Sequence, residues 1–167
     1  TDSMPSQSIG ALTFDAGDAT SNTIYAGIGK YSSFGRIGGN RIGLLRSTNS
    51  GQDWQVVNGG GTLNGKNISG VYANGSIIVV SVNTADSFSL ANTGIFRSID
   101  SGATFTQVSS GSGATTGLPS GVSYDLIVDP LNPNILYTST ALGSANGVFK
   151  SADAGASWTR VSTASME

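Results

Sequence analysis

The sequence predicts an all-β fold made of short antiparallel strands. One nine-residue phrase occurs three times, as RSTNSGQDW at 46–54, RSIDSGATF at 97–105 and KSADAGASW at 150–158. The aromatic residues that close the three copies, Trp54, Phe105 and Trp158, are separated by 51 and 53 residues. A period near 50 residues suits one four-stranded propeller blade. Glycine supplies 24 of 167 residues and no segment keeps a helical apolar period, so we expect a partial β-propeller of three four-stranded antiparallel blades.

Within each period, four strand signals follow one another in the same order. The first unit gives IGALTF, TIYAGI, GLLRST and DWQVV; the second gives ISGVYA, SIIVVSV, GIFRSI and TFTQVS; the third gives VSYDLIV, NILYTST, GVFKSA and SWTRVS. These runs are short, rich in β-branched and aromatic residues, and bounded by turn residues. We therefore expect one domain over 1–167, with blades at about 8–58, 67–109 and 121–162.

The repeated phrase lies between the third and fourth strands of each unit, where a tight hairpin is required. Its glycine offers a positive φ at little steric cost, and the Asp or Asn before it can accept hydrogen bonds from backbone amides two residues on. A serine can join this network, and we expect the closing aromatic to pack between neighbouring blades. We call residues 47–54, 98–105 and 151–158 the repeat turns, and predict a structural role for Ser47, Asn49, Gly51, Trp54, Ser98, Asp100, Gly102, Phe105, Ser151, Asp153, Gly155 and Trp158.

The phrase resembles the Asp-box, or BNR repeat, with the pattern SxDxGxTW. That repeat occurs in sialidases, xyloglucan-degrading enzymes, sortilin-type receptors and other extracellular β-propellers. The segments GLLR, GIFR and GVFK resemble its third strand, and the resemblance covers the chain from about Ser8 to Ser162. The first copy departs from the pattern at Asn49 and Asp53, and the second at Phe105. The resemblance implies Asp-box hairpins between strands 3 and 4 and an extracellular or cell-surface location; in that family the box serves folding, far from active sites.

Composition excludes several kinds of chemistry. The chain has no cysteine and no histidine, so it lacks a thiol nucleophile, the commonest general base and the commonest metal ligand. Its net charge is −2 and its eight Lys and Arg residues never cluster, which disfavours a nucleic-acid partner. No apolar stretch approaches the roughly 20 residues of a membrane helix, so we expect no membrane insertion. We expect no cofactor, although turn carboxylates leave calcium open.

The loops predict where a ligand would bind. Turns between strands 1 and 2 and between strands 3 and 4 share one face of a propeller, and here they are short. The other connections are longer, and binding sites concentrate on such variable loops. The richest of them, KYSSFGRIGGNRI, places cations beside aromatic rings, which suits an acidic sugar; its candidate ligand-binding residues are Lys30, Tyr31, Phe34, Arg36 and Arg41. Alternatively, Tyr31 and Phe34 hold the loop to the blade and the cations are solvated.

A complete hydrolase is disfavoured by the acidic residues. A glycosidase normally needs two carboxylates that flank the scissile bond, and by resemblance a sialidase also needs three arginines and a tyrosine nucleophile. Most acids here lie in turns or near the termini. The remaining candidates are Asp125, with Tyr124 beside it, and Asp86; a polar residue lining a central channel is the ordinary alternative for Asp125.

Three blades are fewer than the four to eight of known propellers, and an open arc would leave two unpaired strand edges and one exposed inner surface, which invites association. The remaining blades belong to a longer chain or to a second copy of this one, and the resemblance favours a longer chain. We weigh three functions: a non-enzymatic propeller segment that binds a glycan or protein ligand, a fragment of a sialidase-like or other glycoside hydrolase, and a structural repeat of a surface layer, adhesin or filament.

Overall fold

The structure is a computed structural model that describes residues 4, 6–31, 38–110, 117–142 and 146–162. Apart from one turn of 3-10 helix at Leu90–Asn92, the regular elements in these ranges are β-strands. Their bounds are β1 (Ile9–Phe14), β2 (Ile24–Ile28), β3 (Leu44–Ser47), β4 (Gln55–Val57), β5 (Lys66–Asn74), β6 (Ile77–Ala85), β7 (Gly94–Ser98), β8 (Thr106–Gln107), β9 (Leu126–Asp129), β10 (Asn132–Thr140), β11 (Gly147–Ser151) and β12 (Thr159–Arg160).

The strands form three four-stranded antiparallel sheets, each with its strands in chain order: β1 to β4, β5 to β8 and β9 to β12. Each sheet is one blade, so the predicted all-β partial propeller of three blades is confirmed. The innermost strands lie side by side. A parallel bridge joins Asp15 at the end of β1 to Ala73 of β5, and the Ser69 hydroxyl donates to the Ser123 carbonyl just before β9 at 2.7 Å.

The pleat of the middle sheet places its side chains in two separate cores. Val71, Ala73, Ile78, Val80 and Phe96 contact the first sheet, where Tyr25, Leu44 and Val57 complete the cluster. The intervening residues Tyr72, Val79 and Ile95 point the other way, onto Leu126, Leu136 and Phe149 of the third sheet. Because successive side chains on a strand alternate between faces, the near-continuous apolar run IIVV of β6 supplies both cores.

Each repeat turn is a hairpin with two successive residues at positive φ. The pairs are Ser50 (59°) and Gly51 (87°), Ser101 (58°) and Gly102 (88°), and Ala154 (52°) and Gly155 (82°). Positive φ at both central positions is the type I′ geometry that matches the twist of a hairpin. The prediction of a left-handed glycine is therefore confirmed, but the residue before it shares that conformation.

Hydrogen bonds lock the turn differently from the prediction. Asp100 Oδ1 accepts from the backbone amide of Thr104, four residues on rather than two, at 2.9 Å. The Ser98 hydroxyl accepts from the Gly102 amide at 2.9 Å and donates to Asp100. The same bonds recur in the other two turns. The predicted bond from Asp100 to the amide two residues on was wrong, because that amide, of Gly102, donates to the Ser98 hydroxyl instead.

The two carboxylates of this network are held ionised. Hydrogen bonds from the Thr104 hydroxyl and amide, with a further one from Ser98, lower the pKa of Asp100 to about 2. At Asp153 burial raises the pKa, but hydrogen bonds from Ser157 and Ser151 outweigh it and the net pKa is lowered. A carboxylate whose folded pKa lies below its unfolded value stabilises the fold above the unfolded pKa, and this contribution is lost as the pH falls through the folded value.

The first turn reverses one of these bonds. In the other turns a hydroxyl of Thr104 or Ser157 donates to the second carboxylate oxygen at 2.6 or 2.5 Å. In the first turn the Asn49 Nδ2 donates instead to Asp53 Oδ2 at 2.9 Å. The two departures from the repeat pattern are therefore one exchange, in which donor and acceptor have swapped places.

The repeat turns also join the blades. The Ala154 carbonyl of the third turn accepts from Arg97 Nε of the second sheet at 2.9 Å. Gly102 lies against the first sheet so closely that a Cβ there would be 2.1 Å from Val57 Cγ1, and a Cβ on Gly155 would be 2.9 Å from Val79 Cγ2. As predicted, Phe105 and Trp158 are buried between blades. Trp54 instead packs on the side of the first sheet that points away from the second sheet.

Gly102→Ala will lower the free energy of unfolding by about 3 kcal/mol, because the new methyl group both opposes the positive φ and clashes with Val57. Gly60→Ala is the matched control, since Gly60 has φ 61° but no atom of the described residues lies within 4 Å of a Cβ there; it will cost about 1 kcal/mol. Urea unfolding followed by tryptophan fluorescence measures both. Equal losses would contradict the close approach of the turn to the first sheet.

Asn49→Asp and Asp53→Thr will each lower the free energy of unfolding by about 1 kcal/mol, since the first opposes two carboxylates and the second removes the acceptor. The double variant recreates the arrangement of the other two turns and will recover most of the combined loss. Denaturant unfolding of the four proteins gives the coupling energy. Additive losses would show that the two positions do not act as one exchange.

Candidate functional site

The connections sort onto two faces as predicted. The amide of Ser50 in the first repeat turn donates to the Asn22 carbonyl in the connection between β1 and β2, at 2.9 Å. Ser101 with Ser76 and Ala154 with Asn134 make the same bond in the other blades. These bonds place the two short connections of every blade together. The remaining connections lie on the opposite face, which we call the long-loop face; its described residues are 29–31, 38–43, 58–65, 86–93, 109–110, 117–125, 141–142 and 146.

An ion pair ties three loops of this face together. Arg41 Nη1 lies 3.0 Å from Asp86 Oδ1 and 3.3 Å from the Gly65 carbonyl, so it links the first sheet to both loops that flank β5 and β6. The arginine side chain is only 8% exposed, whereas the aspartate is 64% exposed. Arg41 Nε is buried with no hydrogen-bond partner among the described residues. The predicted ligand-binding arginine is thus held by a carboxylate of its own chain.

Tyr31 holds its loop to the innermost strands of both the first and the second sheet. Its hydroxyl donates to the Ile68 carbonyl, and its ring covers two glycines, because a Cβ on Gly10 would lie 1.7 Å from Tyr31 Cε2. Burial raises the pKa of Tyr31 to about 12. The amide of Lys30 donates to Asn67 Oδ1, which fixes the backbone where the loop leaves β2. This geometry matches the alternative in which Tyr31 packs the loop, and Tyr31 remains 45% exposed.

A buried cation on the same face was not anticipated from the sequence. Lys66 at the start of β5 is almost fully buried, its Nζ donates to Asn92 Oδ1 at 3.2 Å, and it lies 5.0 Å from the centre of the Phe96 ring. Burial lowers its pKa. Since Lys66 follows a glycine-rich loop, only the apolar strand after it could have indicated that its side chain turns inward.

The predicted catalytic candidates are not brought together by the described contacts. Asp86 is the ion-pair partner of Arg41. Asp125 Oδ1 accepts a hydrogen bond from the Leu126 amide at 2.8 Å, at the start of β9. Tyr124 is exposed beside it. Asp125 and Tyr124 lie at the inner end of the third blade, as expected. The carboxylates of Asp86 and Asp125 each make a contact of their own.

Two of the five predicted ligand-binding residues, Phe34 and Arg36, lie outside the described residues. In the part of the chain that is described, no three acidic side chains gather closely enough to hold a metal ion. No helix within those ranges is long and apolar enough to cross a membrane.

No protein-family model and no curated protein matches this chain. Solved structures resemble it in fold, among them an ancestral GH74 enzyme with 20% identity and a TM-score of 0.57, which covers 96% of this chain and 19% of its own. The GH74 xyloglucanase from Xanthomonas campestris shows 22% identity and a TM-score of 0.58, and the match covers 96% of this chain and 24% of that one. YCF48 from Cyanidioschyzon merolae shows 16% identity and a TM-score of 0.54, and the match covers 94% of this chain and 38% of that one.

These proteins are β-propellers, and likeness at this identity shows the fold alone. The chain spans about a fifth to two fifths of their lengths.

Asp86→Ala will destabilise the protein more than Arg41→Met does. Removing Asp86 leaves a desolvated guanidinium without its carboxylate, at a cost of about 1 to 2 kcal/mol. Replacing Arg41 frees an exposed carboxylate that water can hydrate, at a cost below about 1 kcal/mol. Urea unfolding of both variants measures the difference. The reverse order would show that Arg41 contributes by packing rather than by its charge.

Proposed function

We propose that this chain is a segment of an extracellular or cell-surface β-propeller that binds a glycan or a protein ligand through its long-loop face and is non-enzymatic on its own. The observation that carries the proposal is the separation of the two faces. One face consists of short hairpins locked by their own side chains, and the other collects the long connections, where a rigid scaffold can vary its loops without cost to the fold.

The polar groups of the long-loop face support a carbohydrate as ligand. Tyr31, which is 45% exposed, follows Lys30 in the loop after β2, and the side-chain amide of Asn92 is ordered by hydrogen bonds in the loop after β6. Rings that stack on sugars and amides that bond their hydroxyls are the usual composition of such sites. The resemblance of the repeat turns to the Asp-box supports the extracellular location.

A glycoside hydrolase fragment is the second candidate. Asp125 and Tyr124 are both exposed at the inner end of the third blade, on the side of the long loops. One of the proteins that resemble this chain in fold is named as a xyloglucanase. In this reading the second carboxylate required for glycoside cleavage lies on further blades.

Binding to a glycan array, followed by calorimetry on the best ligand, tests the leading proposal. Lys30→Ala and Arg36→Ala will each weaken binding by about tenfold or more, since each removes one cation of the loop that the sequence predicts to bind an acidic sugar. Gln52→Ala, in the first repeat turn on the opposite face, is the control and will leave binding unchanged. Binding that is insensitive to both cation variants but lost in the control would place the ligand on the wrong face and refute the proposal. Turnover of a fluorogenic glycoside that disappears in Asp125→Asn would support the second candidate.

A further inference from the structure

The contact between blades occurs twice within this chain, each time with the same two kinds of surface. We call the side of a sheet that points to the next blade its forward face, and the side that points to the preceding blade its rear face. The forward residues Tyr72, Val79 and Ile95 of the second sheet contact the rear residues of the third, and the first sheet meets the second in the same manner. The first sheet therefore keeps a rear face, and the third a forward face, that no described blade covers.

Both faces keep exposed apolar side chains, although Ala26, Ile28 and Leu45 on the rear of the first sheet are already buried beneath Met4, Ile42 and Trp54. Leu12 and Phe14 on the rear of β1 are 68% and 59% exposed, and their equivalents in the second sheet, Val71 and Ala73, are buried. On the forward face of the third sheet, Ile127 is 57% exposed beside an apolar groove of about 190 Å³ that Tyr137 and Val148 also line. Surfaces of this kind mark interfaces.

The rear face of the first sheet has an apolar residue at the position that Leu63 and Leu118 occupy in the internal contacts. Leu63 and Leu118 lie five residues before Ile68 and Ser123, and each is buried in the core between two blades. Met4 lies five residues before Ile9 and packs on the rear face of the first sheet together with Trp54. Met4 is thus the counterpart of Leu63 and Leu118.

The glycine of the first repeat turn has space for a partner. A Cβ on Gly155 would lie 2.9 Å from Val79, whereas a Cβ on Gly51 would have only Trp54 within 4 Å among the described residues, at 3.6 Å. The register of the sheets shows what would fill the space. Val79 is paired with Arg97 in the second sheet, and Tyr137 is paired with Lys150 at the same place in the third.

The cation of the internal contact also has a counterpart. Arg97 Nε donates to the carbonyl of Ala154, the residue before the turn glycine. Lys150 occupies the place of Arg97, with Nζ 5.8 Å from the centre of the Tyr137 ring. In the first repeat turn, the residue before the glycine is Ser50. A head-to-tail contact would therefore bring Lys150 to the Ser50 carbonyl and Tyr137 to Gly51.

We propose that this chain pairs with a second copy of itself, the forward face of the third blade of each copy docking on the rear face of the first blade of the other. Two such contacts close a ring of six blades, which lies within the four to eight that propellers use. A contact between two different surfaces must close in this way or continue as a filament. The proposal stands apart from ligand binding, because it uses the ends of the arc and not the long-loop face.

Light scattering after size-exclusion chromatography tests the pairing. The expected mass is twice the 16.8 kDa of one chain. Ile127→Asp will weaken association by about 100-fold, since the contact would bury an unpaired carboxylate, and the exposed position lets each copy fold. Leu131→Asp is the control, 94% exposed in the turn before β10, and will remain paired. A single-chain mass for the unaltered protein, or masses that grow without limit, would overturn the closed pair.

Crosslinking tests the orientation, and the absence of native cysteines allows single thiols to be placed. Ser50→Cys and Lys150→Cys proteins, mixed and treated with a short bismaleimide, will give a covalent dimer. Neither protein alone will, because head-to-tail contact never brings two identical positions together. Ser76→Cys in the middle blade, mixed with Lys150→Cys, is the control. A dimer from Ser50→Cys alone would indicate face-to-face packing and overturn the proposal.

Discussion

The arrangement of the blades depends on the close approach of a backbone hairpin to the side chains of the preceding sheet. Gly102 and Gly155 make this approach possible because a Cβ at either position would overlap Val57 or Val79. The same residues need a positive φ, so glycine satisfies two constraints at one position. Serine and aspartate then fix the turn that carries the glycine, which explains why the whole phrase repeats rather than the glycine alone.

This constraint separates stability from binding. The hairpins place their hydrogen-bonding groups in one face of the arc, where acidic side chains serve backbone amides and have little freedom for chemistry. The opposite face is tied down at a few points, such as the pair of Arg41 and Asp86 and the anchor at Tyr31. Between those points the loops can change in sequence while the cores between blades stay intact.

The fold was predictable because its signals are local and occur three times. Strand order, the sharing of one face by the short turns, and the inter-blade burial of Phe105 and Trp158 follow from period and alternation. The exchange between Asn49 and Asp53 was not predictable, because each position looks like an isolated departure until the two side chains are seen to bond. The burial of Lys66 and the pairing of Arg41 were missed for a similar reason: both depend on contacts between loops far apart in sequence.

Nuclear Overhauser effects between the turn glycines and the preceding sheet test the radial arrangement most directly. In protein labelled at valine methyl groups, the Hα protons of Gly102 will show strong effects to the Val57 methyls, and those of Gly155 to the Val79 methyls, because each pair is in van der Waals contact. If the glycines show effects only within their own hairpins, the repeat turns do not seat one blade on the next, and the account of the fold is contradicted.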